Sequence, residues 1–126
     1  MHRNDTNLNQ FIWSDGDLQT NFYQWKDDKT WEEAVEHCRD HYTDLASLTT
    51  TQQLQQVKSN LKGETIIWVG LRFVAGQWYW LNAEPVSNEV SRSLPECPEL
   101  RCGALNIMTE QWENRDCEEK LSFLCV

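Results

Sequence analysis

Oxygen-bearing side chains collect in two stretches of this chain, "NAEPVSNEVSRSLPECPELR" at residues 82–101 and "QWENRD" at residues 111–116. Glu84, Asn88, Glu89, Glu96 and Glu99 in the first, with Glu113, Asn114 and Asp116 in the second, could supply the roughly six to eight oxygens that surround calcium. No EF-hand spacing organises them, and a solvated acidic loop explains them without an ion, so no metal and no cofactor are expected. Arg92 and Arg115 stand in the same two stretches and, with these residues other than Glu99, make up the candidate ligand-binding set. His37 and His41 are four apart, but the zincin pattern needs glutamate after the first histidine and Cys38 stands there. A solvated helix face is expected for both. No G-x-S-x-G elbow surrounds any serine and all three histidines precede residue 42, so the chain reads as non-catalytic. Trp78, Tyr79, Trp80 and Trp112 could stack on sugar rings; core packing is the simpler use of them.

Five cysteines, Cys38, Cys97, Cys102, Cys117 and Cys125, show no C-x-x-C pair and no histidine near the C-terminal group, which fits disulfides better than zinc. The sequon at Asn4 is a glycosylation candidate and agrees with a secreted setting. The opening residues lack an apolar signal-peptide core, and no run approaches the ~20 apolar residues of a membrane span, so the chain reads as an excised ectodomain with no direct membrane insertion. Eleven basic against twenty acidic side chains give a charge of -9, which excludes phosphate backbones and anionic lipid as natural partners.

The elements that must carry these residues are legible in outline. A length of 126 residues makes one core, and seven tryptophans should fill much of it. Thr30 and Glu33 form a T-x-x-E capping box ahead of a stripe of Trp31, Ala34, Val35, Cys38 and Tyr42, which turns Cys38 inward. Thr50 and Gln53 open a second, more polar helix with Leu54, Val57 and Leu61 inward and Gly63 as its stop. Short apolar runs follow, "TIIWVGL", "QWYWL", "CGALNI" and "LSFLCV", as strands expected to pair mainly antiparallel. Alternation in "QWYWL" puts Trp78 and Trp80 on one face and Tyr79 on the other. Residues 82–101 read as a long irregular loop, the kind that usually carries function. Residues 1–20 read as an N-terminal extension or first strand, or as a remnant of a preceding domain, ahead of the domain at 21–126.

From Phe22 to Val126 the chain resembles the C-type lectin-like domain family. The likeness is carried by "KTWEEAVEHC", "DLASLTT", "WVGL" at Trp68 to Leu71, "CGALN", the spacing from Trp112 to Cys117, and the terminal "FLCV". It implies an α+β fold, two helices packed on mainly antiparallel sheets with a long loop, stapled by disulfides from Cys38 to Cys125 and from Cys102 to Cys117. Cys97 is then left over, and an odd cysteine in a secreted protein points to a homodimer through that thiol or to a bridge with another part of a larger parent chain. Calcium-dependent sugar-binding members carry E-P-N or Q-P-D in the long loop and W-N-D on the next strand. Here Val86 follows Glu84 and Pro85 where an amide should stand, and Glu113 and Asn114 exchange the positions of charge and amide. The resemblance therefore implies an extracellular recognition module that binds a protein, or a glycan without the usual calcium site, through residues 82–101 and the adjacent strand. The alternative is a calcium-dependent carbohydrate-binding lectin with a rearranged calcium shell.

Overall fold

The computed structural model describes residues 7–61, 63 and 66–126, so the sequon at Asn4 lies outside the described residues. In chain order the elements are β1 (Leu8–Asp15), β2 (Leu18–Lys29), α1 (Trp31–His41), α2 (Thr51–Asn60), β3 (Ile66–Val74), β4 (Gln77–Trp80), α3 (Asn88–Ser93), β5 (Cys102–Asn106), β6 (Gln111–Arg115) and β7 (Leu121–Cys125). The strands form one seven-stranded sheet in the order β1-β2-β7-β3-β5-β6, with β4 paired to β3. Every pairing is antiparallel except that of β3 with β7. The fold is α+β with its helices set against a mostly antiparallel sheet.

Local chemistry explains where the helices begin. Glu33 N–H donates to Thr30 Oγ1 at 3.2 Å while Thr30 N–H donates to Glu33 Oε1 at 3.0 Å, a reciprocal box that satisfies two orphan donors of α1. Thr50 caps α2 by accepting from Gln53 N–H at 3.0 Å, but Gln53 Oε1 reaches back to Thr49 N–H at 3.3 Å, so this cap is not the reciprocal kind. Residues 8–15, for which the sequence left two readings, pair with β2 over eight positions.

Apolar side chains fill two clusters, and β3 separates them. Ile67, Val69 and Leu71 belong to the one that holds Trp78, Trp80 and Trp112, while Trp68 belongs to the one that holds Trp31 and Cys38 of α1. Alternation along a strand buried on both faces produces this division. Cys38–Cys125 ties α1 to β7 with Cα atoms 5.4 Å apart, and Cys102–Cys117 ties β5 to the turn after β6 at 5.2 Å. Cys97 is free and exposed.

Two expectations need correction here. The His37 ring is half-buried, 5.1 Å from the ring of Trp25 and 5.2 Å from that of Phe123, because β2 and β7 lie under that side of α1; only His41 is exposed. Residues 82–101 are not structureless either. They contain α3, capped by Ser87, whose Oγ accepts from Val90 N–H at 3.3 Å, and they are anchored by buried Val90, Leu94 and Pro98.

Candidate functional site

The β3–β4 hairpin builds one wall of the site. Its two-residue turn, Ala75 and Gly76, has φ values of 50° and 84°, the left-handed geometry at both central positions that matches strand twist. The resulting register sets Phe73 opposite Trp78, with rings 5.4 Å apart, edge to face. Along β4, Trp78 is 9% exposed, Tyr79 44% and Trp80 2%, so of the three rings Tyr79 faces solvent, as the alternation in the sequence requires.

The segment around α3 forms the opposite wall. Trp78 Nε1 donates to the Pro95 carbonyl at 3.0 Å, and Val90 and Leu94 sit in the cluster beneath the hairpin, so the wall is fixed from below. Between the walls lies an open cleft of about 1080 Å³ lined by Phe73 and Trp78 on one side and by Glu84, Asn88, Arg92 and Glu96 on the other. Those four are members of the candidate set. Glu89 is exposed on α3 but does not line the cleft. Glu84, Arg92 and Glu96 make no ion pair with any of the described residues.

The candidates on β6 part company. Trp112 pairs with Leu105 and meets Trp80 edge to face at 5.5 Å, on the cleft side of the sheet. Asn114 shares that side, and its Nδ2 donates to the Leu100 carbonyl at 3.2 Å. Glu113 and Arg115 pair with Ala104 and Cys102 of the other cluster, so the pleat turns them to the opposite face. There Arg115 donates to Glu113 Oε1 at 2.7 Å and to Glu119 Oε1 at 2.8 Å, and Asn106 Nδ2 donates to Glu113 Oε2 at 2.8 Å. Hydrogen bonds to Glu119 first, and to Glu113 second, raise the Arg115 pKa above its ordinary value against the opposing effect of burial. Asp116 lies in the following turn, where its Oδ1 accepts from Glu118 N–H at 3.0 Å.

Calcium does not fit this arrangement. Both oxygens of Glu113 are engaged, one by a guanidinium that already supplies the positive charge, and Asn114 faces the other side of the sheet. Val86, at the loop position where an amide would serve, is half-buried against the core. Among the described residues no group of three or more histidine, cysteine, aspartate or glutamate side chains is placed to hold a metal ion. Phe73, Gln77 and Ser91 also line the cleft and were missed in the sequence. The A-G turn hints at Phe73 and Gln77, since it fixes which residue of β3 meets Trp78, and nothing in the sequence marks Ser91.

A profile of the lectin C-type domain family matches residues 27–126. The chain belongs to this family. Human C-type mannose receptor 2 is 28% identical over 122 residues, covering 90% of the chain and 8% of the receptor. Rabbit (Oryctolagus cuniculus) secretory phospholipase A2 receptor is 28% identical over 103 residues, covering 76% of the chain and 7% of that receptor. The chain thus spans less than a tenth of the length of either relative. Among solved structures, human lithostathine superposes with a TM-score of 0.71 at 24% identity, covering 83% of the chain and 88% of lithostathine, a likeness of fold. C-type lectin domains commonly serve as carbohydrate- or protein-binding parts of receptors, and the two disulfides of this one suit an oxidising compartment. No helix among the described residues is long and apolar enough to cross a membrane.

Proposed function

We propose that the chain is a non-catalytic, extracellular recognition module that binds a protein or a glycan, without calcium, in the cleft between the β3–β4 hairpin and residues 82–101. The single observation that carries this is the contrast between paired charges on β6 and charges without ion pairs in the cleft. Glu113 and Arg115 saturate each other on the far face, while Glu84, Arg92 and Glu96 line the cleft without ion pairs among the described residues. Exposed charges without a partner in the chain, set on a concave surface, are free to choose one elsewhere. The relatives' names, a mannose receptor and a phospholipase A2 receptor, are compatible with either ligand class. The domain is taken to span residues 21–126, with β1 joining it as an edge strand, and exposed Cys97 offers a thiol for a disulfide-linked homodimer.

Glycan and ectodomain-protein arrays probed in EDTA, with wild type and Ser91→Trp side by side, test the reading. Ser91 is exposed on α3 and lines the cleft, so the indole fills the site without entering the core. Wild-type binding should persist in EDTA and fall at least about tenfold in the variant, while the melting temperature stays the same. Binding that needs calcium, or that survives Ser91→Trp unchanged, would refute it.

A further inference from the structure

The cleft has an apolar side and a charged side. Phe73 and Trp78 meet at the hairpin end, but Trp78 is 9% exposed and its Nε1 is held by Pro95, so its ring faces are closed to a stacking sugar. Tyr79 is largely exposed but points to the opposite face of the hairpin with Arg72, and its hydroxyl donates to Gln77 Oε1 at 3.0 Å. A half-buried phenylalanine with proline neighbours, and no open ring face beside it, suits an apolar side chain better than a sugar.

The charges favour the same class. Glu84 and Glu96 outnumber Arg92 in the lining, Glu89 and Glu99 lie close in sequence, and the whole chain carries -9. That field draws cations and disfavours sulfated or sialylated glycans, whereas a neutral sugar would use the carboxylates only as acceptors. Arg92 can donate to carbonyl oxygens, which a peptide supplies at every residue.

On the strength of the cleft reading above, we infer that the ligand is an extended protein segment carrying a lysine or arginine beside an apolar side chain. The apolar residue lies against Phe73, Pro85 and Pro95, the cation meets Glu84 and Glu96, and Arg92 holds the segment's backbone.

A random peptide library displayed on phage and selected against the immobilised chain in EDTA reads this out. Enriched sequences should pair a basic with an apolar residue. A synthetic peptide of the leading sequence should bind roughly tenfold more weakly to Glu84→Gln with Glu96→Gln, the scale of two exposed ion pairs, and more weakly as salt rises. Enriched peptides that are neutral or acidic yet lost in Ser91→Trp would overturn the ligand class and leave the cleft standing. So would a neutral glycan that binds wild type and not Ser91→Trp. Peptides indifferent to Ser91→Trp, or no enrichment at all, would overturn both.

Discussion

Replacing both cysteines of the longer bridge, Cys38→Ala with Cys125→Ala, should lower the stability of the chain by about 4 to 5 kcal/mol. The bridge joins residues 87 apart in sequence, and closing so long a loop in the unfolded chain removes more entropy than the separation of 15 closed by Cys102–Cys117, for which about 3 kcal/mol is expected. Its position adds to the effect. β7 lies between β2 and β3 in the middle of the sheet, so the bridge fixes α1 to the strand on which both halves depend. Both cysteines are fully buried, and truncation to alanine also removes packed sulfur. Urea unfolding under non-reducing conditions measures the change, and a loss below about 1 kcal/mol would mean that the strand order, not the staple, holds the chain together.

The second large effect belongs to Trp68. Trp68→Ala should cost about 3 to 5 kcal/mol, the range for removing a large aromatic from a closed core. The side chain is fully buried against the α1 cluster, and its Nε1 donates to the Lys29 carbonyl at 2.9 Å, so truncation opens a cavity and strands an acceptor. Tyr79→Ala is the matched control, because the exposed ring of Tyr79 belongs to neither core cluster. Its stability should stay within about 0.5 kcal/mol of wild type. Equal melting temperatures for Trp68→Ala and wild type would show β3 to be wrongly placed.

Much of the scaffold was legible because local rules and tertiary demand agree. The Thr30 and Glu33 box starts α1 where the pattern says, the stripe through Cys38 faces inward, and "QWYWL" alternates as a half-buried strand must. Resemblance, not spacing, supplied the cysteine pairing. The site was less legible. Glu113, Asn114, Arg115 and Asp116 are consecutive letters, and a string of letters does not say which face each meets until β6 is in register with β5. Six residues of α3 are too few to show a period, and only Ser87 with Val90 and Leu94 marks it. His37 was misjudged for a related reason. It borders the apolar stripe of α1, and whether a bordering residue is wet depends on the strand that passes beneath it.

The account turns on recognition without calcium, and the most direct measurement is the melting temperature in millimolar calcium against that in EDTA. A ligand that binds only the folded state raises stability by RT ln(1 + [L]/Kd), about 2.7 kcal/mol at a hundredfold excess over Kd, which is a shift of several degrees for a domain of this size. With Glu113 held by Arg115 and Asn106, and Asn114 on the opposite face, the two curves should coincide. A rise of several degrees in calcium, reversed by EDTA, would contradict the account.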